Sequence, residues 1–174
     1  MKVHIVLAGA LATIVSVLSP AAVAQAPTDP QIVGIVLAAN QIDIDAGNAA
    51  LAKAHKPEVK ALAQQMVTDH ASLQKSVEQL GAKLHVTPAG SATADSLKKQ
   101  AAATAAHLKT LHGDAYDKAY IDNEVAYHSA VIDAVSKVLI PNAQNAELKS
   151  ALIGAAPAFQ GHLQHAQMIQ SSLH

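Results

Sequence analysis

The stretch Pro57-Glu-Val-Lys-Ala-Leu-Ala-Gln-Gln-Met-Val-Thr-Asp-His70-Ala-Ser-Leu-Gln-Lys-Ser-Val-Glu-Gln-Leu-Gly-Ala-Lys-Leu84 spaces its large apolar residues alternately by three and four. Val59, Leu62, Met66, Leu73, Val77, Leu80 and Leu84 therefore share one face of an α-helix, whereas a strand would alternate every second residue. One member of that seam is not apolar. His70 stands at a core position, between Met66 and Leu73.

The same period runs through the rest of the chain. Boundary signals fall at Asp29-Pro30, Lys56-Pro57, Val86-Thr-Pro-Ala-Gly90, His112-Gly-Asp114 and Ile140-Pro-Asn142. Pro30 and Pro57 suit first helical positions, and Asp29 and Asp114 suit N-caps. Helices are predicted over 30–55, 57–85, 92–111, 114–139 and 144–172. Four of them are rods of about 40 Å at 1.5 Å per residue, and rods of similar length joined by short loops pack antiparallel. The predicted fold is all-α: a ferritin-like antiparallel four-helix bundle, with the shorter 92–111 segment connecting two helical hairpins. Pro157, shortly after Gly154, predicts a kink or restart in the last helix.

Composition agrees with closely packed helices. Hydrophobic residues make up 51% of the chain but aromatic ones only 2%, so the core is built from Ala, Val, Leu and Ile. Formal net charge is -1 and there is no Arg, which argues against nucleic-acid binding: no basic patch neutralises phosphates and no guanidinium fork reads bases. Cys is absent, which excludes disulfides, thiolate metal sites and Cys nucleophiles. The 10 His residues are nearly as numerous as the 13 acidic ones.

The N-terminus reads as an export signal. Lys2 supplies positive charge, Ile5 to Leu18 is apolar, and Ala22-Val-Ala24 forms an Ala-x-Ala cleavage pattern. Residues 1–24 are expected to be removed, leaving a mature bundle domain over 25–174 in the periplasm or secreted. The apolar run is too short to span a bilayer and no later segment is long enough, so no integral membrane segment is expected after cleavage.

Polar residues interrupt the other seams too. In the helix from 114, the seam Asp117, Ile121, Glu124, His128, Val131, Val135, Val138 puts Glu124 and His128 inward one turn apart. In the last helix, Leu148, Leu152, Ala155, Phe159, His162, Ala166, Ile169, Leu173 puts His162 inward, with His165 three residues on. In the first helix, Asp43 falls on the seam Val36, Ala39, Asp43, Ala46, Ala50. Asp43 lies 13 residues before Lys56 and His70 lies 13 after Pro57, so the two sit level across their hairpin. Glu124, His128 and His162 fall within a turn or two of the same depth.

Burying such groups unpaired is costly. Either they form an internal hydrogen-bonded network that fixes helix register, or a metal ion collects them. The metal set is expected to comprise His70, His128 and His162 with Glu124, Asp43 and Asp69. Asp69 points about 100° away from His70 around the helix and is expected to orient a histidine of a neighbouring helix. Imidazole-rich, carboxylate-poor surroundings suit Cu, Zn or Ni better than Mg or Ca, and the ion expected is a divalent transition metal: Cu, Zn, Ni or Fe. Tyr116, Tyr120 and Tyr127 on the same helix read as packing, and His55, His85, His107 and His112 near helix ends as dipole partners.

Val59 to His70, Tyr116-Asp-Lys-Ala-Tyr-Ile-Asp-Asn-Glu-Val-Ala-Tyr-His128 and His162-Leu-Gln-His-Ala166 resemble the exported bacterial proteins of domain of unknown function 4142, also called outer membrane proteins. The resemblance spans about 30–172. It implies a ferritin-like bundle in a bacterial envelope setting, with Asp69, His70, Tyr120, His128 and His162 as recurrent polar positions and Asp43 where relatives often carry Glu. Di-iron enzymes of this fold use Glu-x-x-His on two helices. Here Val67, Val125 and Phe159 stand three residues before His70, His128 and His162, so that motif is missing.

Two functions stay open on this reading: a periplasmic metal-binding protein with a metal or oxidative-stress role, and a non-enzymatic envelope structural or interaction module with no metal. A redox enzyme rests on fold analogy alone. No seam is left for a large apolar interface, so a monomer or weak homodimer is expected, with an envelope partner as the alternative contact.

Overall fold

The computed structural model describes residues 26–173; the expected export signal and cleavage point lie outside the described residues. Helices α1 (Asp29–Lys53), α2 (Pro57–Lys83), α3 (Ala92–Thr110), α4 (Gly113–Ala134) and α5 (Ala146–Ser172) follow the predicted spans to within a few residues. The described residues contain no strand. Each long helix packs on two neighbours: α1 on α2, α2 on α5, α5 on α4 and α4 on α1. That closes a four-helix bundle, and α3 lies against α1 and α4 as the bridge between the hairpins.

The ends show why the helices start and stop where they do. Ser91 Oγ caps α3 by accepting from Ala94 N–H at 3.1 Å, and Asn145 Oδ1 caps α5 by accepting from Glu147 and Leu148 at 2.9 and 3.1 Å. Asp29 and Asp114 do not cap their helices as expected. Thr28 and His112 hold the N-cap positions. Asp29 instead accepts from Gln144 and Asn145 N–H at 2.8 and 2.9 Å, tying the α1 start to the turn before α5, and Asp114 pairs with Lys56. At the other end buried Asp117 accepts from His55 and Lys56 N–H, so each turn between paired helices is held by an aspartate from the other hairpin. Helix α2 ends with His85 in the left-handed conformation at φ 55 and Val86 N–H bonded to the Gly81 carbonyl, a Schellman ending without the usual Gly.

Two proline effects differ from simple expectation. Helix α4 does not stop at Pro141 but passes through a π-helical turn at Val135–Leu139 and continues over Ile140–Asn142. Pro141 has no N–H to give the Lys137 carbonyl, and the Ile140 N–H bonds back five residues to Val135. Pro157 does not restart α5, which is helical without a break from Ala146 to Ser172. Its ring is on the solvent face, so the carbonyl deprived of a donor faces water.

Close approach of α1 and α2 depends on small residues. A Cβ on Gly47 would lie 2.9 Å from the Ala63 carbonyl oxygen and 2.8 Å from Val67 Cγ2, so only glycine fits at this separation. The buried apolar side chains fall into two separate groups. One, around Val59, Leu62, Met66, Ile121 and Ile169, fills the end near the 54–56 turn, and the other, around Ile32, Ile35, Leu139, Leu148, Leu152 and Phe159, fills the opposite end. Burying each large side chain contributes roughly 1.5–3 kcal/mol. Between them lies a polar layer.

Candidate metal centre

That layer is Asn40 and Asp43 from α1, His70 from α2, Glu124 and His128 from α4, and His162 from α5, all buried. The seams deliver them because each replaces one apolar residue on an inward face at the same depth. The rings of His70, His128 and His162 are neighbours, with centroids 5.7 Å (His70–His128), 5.2 Å (His70–His162) and 5.3 Å (His128–His162) apart. A nitrogen from each lies within 4.8 Å of a nitrogen from each of the others.

Every ring is held from behind by an oxygen. Asn40 Oδ1 lies 2.9 Å from His70 Nδ1, the Glu124 carbonyl oxygen 3.1 Å from His128 Nδ1, and Asp69 Oδ2 2.9 Å from His162 Nε2. Each of these oxygens accepts, so the ring nitrogen beside it carries a proton. The nitrogens left over are His70 Nε2, His128 Nε2 and His162 Nδ1, and none of them makes a hydrogen bond. Burial, then the neighbouring imidazoles, lowers His70 to about 3, with Asp69 opposing. Burial, then His162, lowers His128 to about 4. Both rings are neutral at pH 7.

A second donor set adjoins the first. Asp43, Glu124 and His128 each offer an atom within 4.8 Å of the others. Both Glu124 oxygens are buried without a partner, as are the hydroxyls of Tyr116 and Tyr120. Burial pushes Glu124 up to about 8, and burial with the charge of Glu124 pushes Asp43 well above the usual carboxylate range. Asp43 Oδ2 lies 3.5 Å from His70 Nε2 and Glu124 Oε2 lies 3.6 Å from His128 Nδ1. With neutral imidazoles these approaches are not ion pairs.

Of the residues expected at the site, the structure brings His70, His128 and His162 into one set and Asp43 and Glu124 beside it. Asp69 stays out of both donor sets and holds His162 from the rim. His165 faces Gln65 at 2.9 Å outside the layer. Sequence reasoning misses Asn40, although its place three residues before Asp43 puts a hydrogen-bonding side chain on the same face of an apolar helix.

The family model for Domain of unknown function (DUF4142) matches residues 16–169. The chain belongs to this family. No curated protein matches the chain. Among solved structures, one described as "CopM in the Cu(II)-bound form" is similar with a TM-score of 0.67 at 17% identity, over 86% of this chain and 100% of that one. At that identity the likeness establishes the shared bundle fold, and the family resemblance expected from Val59 to Ala166 is met by the family match.

Proposed function

We propose that this protein is an exported metal-binding protein that holds one transition-metal ion in the middle of its bundle for sequestration or delivery, not for catalysis. The observation that carries this reading is the set of three unpaired nitrogens. Three buried imidazoles each meet an oxygen through one nitrogen and leave the other without a partner, and a nitrogen from each ring lies within 4.8 Å of one from each of the others. Buried polar atoms are normally paired, and a cation is the partner that satisfies three acceptors at once.

His70, His128 and His162 would supply nitrogen, and Asp43 and Glu124 would supply oxygen and countercharge. Three neutral rings, two carboxylates and one divalent ion sum to zero, which suits a site cut off from water. Asn40, the Glu124 carbonyl and Asp69 keep the rings turned so that the free nitrogens face inward. Nitrogen-rich donor sets favour Cu, Ni and Zn over Mg and Ca, and divalent copper heads the affinity order. The fold shared with a protein solved with copper supports the same ranking. The expected setting is the periplasm or the medium, on the strength of the Lys2 to Ala24 signal pattern.

The alternative is an envelope module whose polar layer only fixes helix register. The Asn40–His70 and Asp69–His162 hydrogen bonds would serve that purpose, but the unpaired nitrogens would not. Metal analysis of untagged protein from the envelope fraction separates the two. Wild type is expected to carry or take up about one equivalent of Cu, Zn or Ni, and His128→Ala to retain less than about a tenth of that, since two nitrogens hold an ion far more weakly than three. Wild-type protein that stays metal-free after dialysis against these ions refutes the reading.

A further inference from the structure

A buried site needs a route for its ion, and the structure offers one more readily than others. Every donor is covered: the side chains of Asp43, His70, Glu124, His128 and His162 are 1–3% exposed. Asp69, bonded to His162, has a side chain 43% exposed. It thus joins the donor sets to solvent.

Asp69 sits on the seam between α2 and α5, beside a second polar rung. Four residues earlier Gln65 Oε1 accepts from His165 Nδ1–H at 2.9 Å, and His165 is three residues after His162. That bond leaves the lone pair of His165 on Nε2. Gln65, Asp69 and His165 are all half-buried, and the Asp69–His162 and Gln65–His165 bonds put a carboxylate and an imidazole on successive rungs of one seam. Two other seams are covered near this depth. Tyr127 covers α1–α4 with its hydroxyl on the Ala39 carbonyl at 3.1 Å, and α1–α2 is shut by the Gly47 contact and the Gln41–Gln74 bond.

We propose that Asp69 and His165 form a capture position for a divalent transition-metal ion, from which the ion passes inward by way of His162 between α2 and α5. This rests on the three-histidine site proposed above. The carboxylate attracts and partly dehydrates the cation, His165 Nε2 offers a first nitrogen, and His162 connects the rim to the interior. A capture position lies on the path without being part of the final site, so by microscopic reversibility it changes loading and release by the same factor.

The test uses the full mature protein, stripped of metal and mixed rapidly with copper(II) or zinc(II). Asp69→Asn keeps an oxygen acceptor for His162 and removes only the charge, and His165→Ala removes the rim nitrogen. Each is expected to slow loading about fivefold or more; for His165→Ala release is slowed equally and Kd is unchanged, and Asp69→Asn is also expected to weaken the salt dependence of loading. Gln74→Ala, at the α1–α2 seam, is expected to load at the wild-type rate. Variants that load as fast as wild type overturn the capture position and leave the three-histidine site standing. A Kd that weakens in His165→Ala while its loading rate holds would make His165 part of the final site and also overturn it. Wild-type protein that takes up no ion removes both.

Discussion

The two apolar ends of the bundle and the polar layer between them are built on the same four helices, yet they solve different problems. The ends around Leu62 and Leu148 are self-sufficient: small and branched side chains interdigitate and need nothing from outside. The middle layer is incomplete on its own terms. Its hydrogen bonds satisfy the outward half of each histidine and leave the inward half, and both Glu124 oxygens, without partners. These unpartnered atoms are the ones that the proposed metal ion would satisfy.

The sharpest contrast comes from removing one side chain from an apolar end. Leu62→Ala, in a fully buried apolar position, is expected to cost about 2–5 kcal/mol of stability through lost burial and the cavity left behind, with metal affinity unchanged. Urea denaturation and metal titration of the same variant check both halves. A loss of metal affinity in Leu62→Ala would mean that the ends and the middle are not independent.

Protonation gives the next largest effect. With His70 at about 3 and His128 at about 4, no proton competes for those nitrogens above about pH 5. Glu124, pushed up to about 8, holds its proton at neutrality and must release it to serve a cation. Affinity is therefore expected to rise with pH up to about 8, at most about tenfold per unit for one released proton. Competition titrations at pH 6, 7 and 8 measure this slope, and Glu124→Gln is expected to flatten it.

The smallest effect belongs to the rim. Asp69→Ala removes the acceptor behind His162 and is expected to weaken metal binding about tenfold, the low end for a residue that orients a ligand, while the buried apolar ends keep their stability. Isothermal titration resolves a change of that size. An unchanged affinity would assign His162's orientation to packing.

How far the sequence discloses this contrast follows from its physics. Helical period and proline punctuation are local properties, so the five helices and the inward places of His70, Glu124, His128 and His162 are legible directly. Hairpin arithmetic carries one step further: Asp43 and His70, each 13 residues from the turn, do meet, at 3.5 Å. The acceptor roles are less accessible. Asn40 in Ala-Ala-Asn-Gln looks like ordinary helix until His70 is known to face it, and the Glu124 backbone carbonyl that bonds His128 leaves no mark in the sequence at all. The expected aspartate caps give way for a tertiary reason, since Asp29 has a stronger use in bonding two N–H groups across the hairpins. Pro157 does not restart the helix, because it lies on the exposed face, where the carbonyl it deprives of a donor meets water.

The most direct measurement is the thermal unfolding of untagged mature protein with and without saturating copper(II) or zinc(II), beside His128→Ala. An ion at about 100 times its Kd adds about 2.7 kcal/mol, which for a domain of this size raises Tm by about 5–10 °C. The account predicts that rise for wild type and none for His128→Ala. A wild-type Tm indifferent to metal, or a rise undiminished in His128→Ala, would contradict a metal centre at the three histidines.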